Sequence, residues 1–261
     1  MKSFDGKKYM YEKNQLIEVI CQLRYPPILS IETDIPARFQ DTIREKFPRY
    51  NKIEENVPSP GGVQKVANHT FISADGAFKL SMTKNFIALS TMRYSCWEDF
   101  AQWLDEPLGQ FISIYKPAYF ERIGLRYMNG ISREKLELEG RRWNDLFQSR
   151  YLGVLDDDEV DEAAVSKCSV DIEMKLDSGC AVKLHAGPGK IQRTVRTPQG
   201  MKQVQEPIVR FIFDQDVFCA GNIKLQDAAG VLDSVHEQAD KVFSEAITDV
   251  LHEAMEPVIV G

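Results

Sequence analysis

Alternating hydrophobic and polar residues along the chain predict β-strands with one apolar face and one polar face. In LIEVICQLRY, apolar residues alternate with polar residues that include Gln22 and Arg24. In YFERIGLRYMNGI, apolar residues alternate with Arg122, a glycine and Arg126. Because successive side chains of a strand point to opposite faces, both segments are expected to bury one side and to present polar side chains on the other.

The same alternation, with glycine- and proline-rich turns between segments, predicts the remaining strands. They lie near residues 70–74, 77–83, 86–91, 168–176, 180–186, 190–197 and 204–214. Residues 51–68 contain NVPSPGGV, which is typical of turns, and are predicted to form a loop. The strands therefore follow one another closely enough to form antiparallel hairpins.

Apolar residues spaced three or four apart predict three main helices. These cover residues 34–47, 95–115 and about 225–256, with Asp34 as the N-cap of the first and Pro107 kinking or breaking the second. Between the second and third helices, one or two short helices are predicted with a buried side. The residues of that buried side are Trp143, Leu146, Phe147 and Tyr151.

Together these elements predict an α+β fold in which helices pack on one face of a largely antiparallel sheet or pair of sheets. The first half, residues 1–131, has the order β-α-β-β-β-α-β. The second half, residues 132–261, combines short helical segments, antiparallel hairpins and a long C-terminal helix. The two halves are either separate units or one continuous domain.

The net charge and the composition argue against a nucleic-acid-binding protein and against a membrane-spanning protein. The 261 residues carry a net charge of −7, so a chain-wide electrostatic attraction to nucleic acid is not favoured. No segment approaches the roughly 20 consecutive apolar residues of a membrane-spanning helix, and the N-terminal residues lack the apolar core of a secretory signal. We therefore expect a cytoplasmic protein that does not bind membranes.

The five cysteines are expected to be reduced and mostly buried. They include no CxxC pair, and the cytosol disfavours disulfides. Cys168 and Cys180 flank a predicted hairpin and are the pair that could form a disulfide.

No recognisable catalytic or metal-binding motif is present in the sequence. The four histidines form neither HxxxH nor HExxH, and there is no GxSxG elbow. The segment HAGPGK lacks both the spacing of a phosphate loop and the helix that follows one. The sequence thus predicts no catalytic residue, no metal ligand and no cofactor.

Two basic surfaces remain as candidate ligand-binding sites. The first, called the arginine face, is the polar side of the two strands described above, with Gln22, Arg24, Arg122 and Arg126. If these strands pair, three guanidinium groups lie close together and need either a bound anion or carboxylates. Internal pairing with acidic residues of neighbouring strands is the alternative.

The second surface, called the basic ribbon, is the segment 178–205, which contains no acidic residue. Its candidate ligand-binding residues are Lys190, Arg193 and Arg196, with His185 as the nearest acid–base group. These cations could contact phosphate groups. The alternative is a solvated hairpin whose charge offsets the acidic segment DDDEVDE at 156–162.

Five segments in the same order carry a resemblance to a known family. They are EVICQLRYPPI, FPRY, IALSTMRYSCWEDF, ERIGLRYMN and HEQADKVFSEAIT. In these segments, and in its length, the chain resembles a sporadically distributed family of uncharacterised bacterial proteins of roughly 260 residues. The resemblance implies a bacterial protein and supplies no catalytic residue.

Three functions are compatible with these features. The first is a non-enzymatic binding or regulatory module that recognises an anionic ligand or partner through the two basic surfaces. The second is an enzyme acting on a phosphate-bearing or nucleic-acid substrate, with His185 near the basic ribbon. The third is a structural homodimer that associates through a sheet edge or the terminal helix. The sequence favours the first.

Overall fold

The computed structural model describes residues 9–33, 35–59, 62–176, 179–197 and 200–259. Side chains are described in these ranges except at 35, 55, 57–59, 64, 193–197 and 200–201. The predicted cap Asp34 and the predicted turn at 177–178 lie outside the described residues.

Strands account for most of the regular structure. The strands are β1 (Tyr9–Tyr11), β2 (Leu16–Arg24), β3 (Arg49–Ser59), β4 (Gly62–Ile72), β5 (Phe78–Met82), β6 (Phe86–Thr91), β7 (Phe120–Ile131), β8 (Val170–Lys175), β9 (Ala181–Gly189), β10 (Gln192–Thr197), β11 (Gly200–Gln205), β12 (Arg210–Ile223) and β13 (Pro257–Ile259). The helices are α1 (Ile35–Ile43), α2 (Trp97–Tyr115), α3 (Ala228–Ser244) and α4 (Asp249–Ala254). The predicted α+β class is confirmed.

Nine of these strands form one antiparallel sheet in the order β3-β4-β5-β6-β2-β7-β12-β9-β8. Strand β7 lies in the interior of the sheet and pairs with β2 on one side and β12 on the other. Strands from both predicted halves therefore join in a single sheet. Two further antiparallel pairs, β1-β13 and β10-β11, lie outside it.

One face of this sheet is covered and forms the core. The predicted apolar residues of β2 and β7 are buried there, with Val19, Leu23 and Leu125 at 0% exposure. Helix α3 packs on β7 and β12, and α1 packs on α2. The buried side predicted for the segment after β7 is confirmed, although that segment forms short 3₁₀ turns. Its buried residues are Trp143, Leu146, Phe147 and Tyr151.

Several element boundaries differ from the prediction. The strand predicted at 204–214 is divided between β11, which ends at Gln205, and β12, which runs from Arg210 to Ile223, and α1 ends at Ile43. Residues 51–68, predicted as a loop, belong to β3 and β4, because a long ladder runs from Arg49↔Ile72 to Ser59↔Gly62 despite the turn-forming residues at its tip. The predicted long C-terminal helix is present as α3, but it ends at Ser244, and α4 begins only at Asp249 with Thr248 as its N-cap. Helix α2 continues through Pro107 without a break.

The expectation of five reduced cysteines is wrong. Cys180 and Cys219 form a disulfide, with their Cα atoms 4.3 Å apart. Ala181 pairs with Phe218 in the β9–β12 ladder, so the two cysteines directly face each other one position further along. This pairing depends on which strands are neighbours in the sheet, which the local hairpin pattern around Cys168 does not indicate.

The disulfide predicts a thiol count. Protein purified without reductant, then unfolded and alkylated, should gain three adducts, at Cys21, Cys96 and Cys168, and five after reduction. The variant Cys180→Ser should gain four under both conditions, because it frees Cys219. Intact-protein mass spectrometry measures both values. Five adducts in the unreduced parent protein would show that the two sulfur atoms are not bonded.

Candidate functional site

The arginine face lies on the open side of the sheet, opposite the core. Strands β2 and β7 pair as the sequence analysis supposed, with Arg24 directly opposite Arg122 and Gln22 opposite Gly124. Arg24 is exposed. Arg122, however, donates to both carboxylate oxygens of Asp216 at 2.6 and 2.7 Å. The crowded arginines are thus partly neutralised within the chain.

Arg126 is also bonded to a carboxylate. Its Nε donates to Asp214 Oδ1 at 2.7 Å, and its Nη2 donates to Asp214 Oδ2. This hydrogen bond raises the pKa of the Arg126 guanidinium above its ordinary value. Both partners lie on β12, and the pairing of β7 with β12 brings them into reach. Two of the three arginines of the arginine face therefore already contact a carboxylate.

Gly124 allows Arg122 to take this position. The Arg122 guanidinium lies across the strand with its carbon atom 4.3 Å from the centre of the Phe218 ring. A Cβ at position 124 would collide with Arg122 Nη1 and Cζ. The glycine between the two arginines in RIGLR therefore leaves the space that the guanidinium occupies, and a larger residue there would require the guanidinium to shift.

The basic ribbon does not form a compact cationic site among the described side chains. His185 Nδ1 lies 2.8 Å from Asp171 Oδ1 on β8. Lys183 is 3.4 Å from Glu173, and Lys190 is exposed just after β9. Arg193 and Arg196 lie on β10, but their side chains are outside the described part of the chain.

The acidic segment 156–162 has cationic partners outside the ribbon. Arg133 donates to Glu162 at 2.8 Å, and Arg142 Nη1 lies 3.3 Å from Asp158 Oδ1. The charge compensation suggested for the ribbon and this segment is thus supplied here by arginines that follow β7.

A pocket of about 120 Å³ lies on the covered side of the sheet. Several separate parts of the chain line it: residues 9–16, residues 94–98, Tyr127 and Asn129 of β7, Gln215 of β12, and a C-terminal set. The C-terminal set is His236, Asp240 and Phe243 of α3, and Met255, which follows α4. We call it the Tyr–His pocket. It is built from both predicted halves of the chain.

A chain of hydrogen bonds runs along this pocket. The Tyr94 and Tyr127 hydroxyls are 3.2 Å apart, Tyr127 Oη is 3.0 Å from His236 Nδ1, and His236 Nε2 is 3.3 Å from Asp240 Oδ2. Tyr127 and His236 are 5% and 8% exposed. Buried polar groups of this kind remain stable only when they are hydrogen-bonded. The chain therefore fixes the side chains that form this wall.

Trp97 and Gln215 complete the pocket. The Trp97 and His236 rings stack with centroids 4.7 Å apart. Gln215 lies directly opposite Tyr127 in the β7–β12 ladder and is 2% exposed. Its Nε2 donates to Ala239 O at 3.1 Å, whereas its Oε1 has no hydrogen-bond partner among the described residues. Gln215 is thus a lining residue whose buried amide oxygen has no hydrogen-bond partner among the described residues.

The environment raises the pKa of several groups that line the pocket. Burial raises the pKa of the Tyr11, Tyr94 and Tyr127 hydroxyls, and the Asp240 carboxylate adds to this effect. Burial also raises the pKa of the Cys96 thiol. All four groups therefore keep their protons at neutral pH, and Cys96 is not an activated nucleophile.

This pocket was not predicted from the sequence. The alternation in YFERIGLRYMNGI places Tyr127 on the core-facing side, and the single helix predicted at about 225–256 contains both His236 and His252, which lie on α3 and α4. One available signal was Gln215, a polar residue at a core-facing position between two aspartates that face the other side.

The comparisons with known proteins identify no family for this chain. No protein-family model and no curated protein matches the chain. Within the described residues, no group of three or more histidine, cysteine or acidic side chains is arranged to hold a metal ion. Over the same part of the chain, none of the helices combines the length and apolarity needed to cross a membrane.

Gly124→Ala tests the packing of the arginine face. The added methyl group should displace Arg122 from Asp216 and lower the free energy of unfolding by about 1.5 kcal/mol, the lower end for a hydrogen bond to a charged group. Chemical denaturation measures this value. In an Asp216→Asn background, Gly124→Ala should lower the free energy of unfolding by less, because the contact between Arg122 and residue 216 is already weakened.

Gly109→Ala is the matched control for this substitution. A Cβ at this position in α2 meets nothing within 4 Å, so the change should stabilise by about 0.5–1 kcal/mol through helix propensity. Equal costs of Gly124→Ala in both backgrounds would contradict the proposed role of the glycine.

Tyr127→Phe tests the hydrogen-bond chain. It removes the middle hydroxyl and leaves Tyr94 and His236 Nδ1 without this partner, which should lower the free energy of unfolding by about 2 kcal/mol. Tyr119→Phe, at a half-buried position outside the pocket, should change it by less than about 0.5 kcal/mol. Similar small effects of both changes would show that the chain does not contribute to stability.

Proposed function

We propose that this protein is a non-enzymatic binding module whose ligand is a small, ring-sized molecule held in the Tyr–His pocket. The observation that carries the proposal is the buried Gln215 Oε1, an acceptor without a partner among the described residues in the wall of a pocket. An unsatisfied buried acceptor costs about 1–3 kcal/mol. A ligand that donates to it would recover that free energy.

The size and walls of the pocket support a ring-shaped ligand. Its volume of about 120 Å³ is close to that of an engineered apolar cavity of about 150 Å³ that holds benzene. Trp97 and Tyr94 supply aromatic surface, while Gln215 and Asn129 supply polar groups that fix orientation. Ligand sites in proteins commonly combine an apolar or aromatic lining with a few convergent polar groups.

The chemistry of the lining favours binding over catalysis. An acid or base works best with a pKa near the working pH. Four groups of the pocket, Tyr11, Tyr94, Tyr127 and Cys96, have a pKa that is shifted upward, away from neutrality. A raised pKa makes these groups stable hydrogen-bonding partners and poor nucleophiles.

This proposal keeps the binding class expected from the sequence and moves the site. Arg122 and Arg126 are bonded to Asp216 and Asp214, so an anion on the arginine face would have to compete with these carboxylates. The phosphate-directed enzyme would rely on His185, which already contacts Asp171 on an exposed surface. The homodimer stays a prediction that the oligomeric state in solution would test.

The three tryptophans allow the site to be tested within one sample. Trp97 lines the pocket, whereas Trp103 stacks on Phe78 and Trp143 packs against Phe211. Isotope-labelled protein is titrated with benzamidinium, benzamide and benzoate, and the indole N–H resonances are followed by NMR. At least one compound should shift the Trp97 resonance saturably while Trp103 and Trp143 stay unchanged.

Trp97→Phe assigns the reporting resonance by removing it. If none of the three compounds shifts Trp97 at millimolar concentration, or if all three indoles shift together, the pocket is not a ligand site and the proposed function is overturned.

A further inference from the structure

The polarity of the Tyr–His pocket indicates the chemical class of its ligand, on the condition that the pocket is the binding site proposed above. The charged residues that line it are Glu98 and Asp240, and neither lysine nor arginine is among the described lining residues. Among the described lining residues, the full side-chain charges that an anion would meet are these two carboxylates. This part of the lining therefore favours a cation over an anion.

The orientation of the Gln215 amide supports the same conclusion. Its nitrogen donates to the Ala239 carbonyl, and a carbonyl can only accept, so the amide orientation is fixed by this bond. The oxygen is therefore the end without a partner. A ligand that satisfies it must carry an N–H or O–H donor.

The direction of the hydrogen-bond chain adds a second acceptor. In the neutral His236 tautomer with its proton on Nε2, 3.3 Å from Asp240 Oδ2, Nδ1 is an acceptor. In that tautomer Tyr127 donates to Nδ1 and Tyr94 donates to Tyr127. With its proton used in this way, the Tyr94 oxygen keeps only lone pairs for the ligand.

The aromatic wall favours a planar cation. Trp97 and Tyr94 present ring surfaces, and a cation near an aromatic ring face gains about 0.5–2 kcal/mol. Asp240 also acts on the pocket electrostatically, since its charge contributes to the raised pKa of three lining tyrosines. Negative charge, acceptors and aromatic surface therefore converge on one small volume.

We infer that the Tyr–His pocket selects a small planar cation with N–H donors, of the amidinium or protonated aromatic-amine class. Gln215 Oε1 accepts one donor, Tyr94 Oη accepts another, and the carboxylates of Asp240 and Glu98 balance the charge. The arginine face is not involved.

The three benzene derivatives named above test this class because they share one ring and differ in charge. Benzamidinium should bind at least tenfold more tightly than benzamide, and benzoate should not shift the Trp97 resonance. If benzamide or benzoate binds as tightly as benzamidinium, the assigned ligand class is wrong while the pocket remains a binding site. If none binds, the proposed function fails, and this inference fails with it.

Two variants separate the contributions of donor recognition and charge. Gln215→Met keeps the length of the side chain and should weaken benzamidinium and benzamide alike, by about tenfold, which corresponds to about 1.4 kcal/mol. Asp240→Asn removes a charge at a half-exposed position and should weaken benzamidinium severalfold while leaving benzamide unchanged. Equal weakening of both compounds by Asp240→Asn would contradict the role assigned to its charge.

Asp105→Asn is the matched charge control. Asp105 is exposed on α2 and does not line the pocket, so this variant changes the net charge by the same amount. It should bind all three compounds as the parent protein does. Weakening equal to that of Asp240→Asn would show that net charge, and not the pocket, causes the selectivity.

Discussion

The position of β7 between β2 and β12 is the constraint on which both surfaces of this protein depend. Within the ladder, Tyr127 is held opposite Val19 on one side and Gln215 on the other. Because side chains alternate, the next residue, Arg126, must then point to the opposite face. A shift of one residue would move the arginines into the core and the tyrosine into solvent. The same register therefore builds the pocket wall and the ion pairs.

Strand β12 supplies the complementary pattern. In its DQD segment, Asp214 and Asp216 face the arginines of β7, while Gln215 faces the pocket. The acidic residues offset positive charge that would otherwise crowd the open face, and the amide adds a hydrogen-bonding group to the covered face. Alternation thus lets three consecutive residues serve two different surfaces.

The sequence predicted the parts of this structure that depend on local pattern. The faces of β2 and β7 and the buried Trp143 follow from alternation and spacing, whereas the pairing of β2 with β7, which places Arg24 opposite Arg122, was only a condition of the predicted arginine face. The partners of the arginines did not follow, because Asp216 and Asp214 lie 94 and 88 positions further along the chain from Arg122 and Arg126. The Cys180–Cys219 bond has the same origin, since it requires the order β12-β9. The pocket could not be predicted either, because it combines side chains from segments that are far apart along the chain.

The contrast between the two faces explains why the covered face is the better place for a ligand. On the open face, the charges of Arg122 and Arg126 are met by carboxylates of the same sheet, so a new anion gains only by displacing a bonded partner. On the covered face, the chain from Tyr94 to Asp240 satisfies its own members but leaves Gln215 Oε1 without a partner among the described residues. Binding strength comes from groups that are better satisfied after binding than before it. A small donor in the Tyr–His pocket meets that condition, whereas an anion on the arginine face does so only at Arg24.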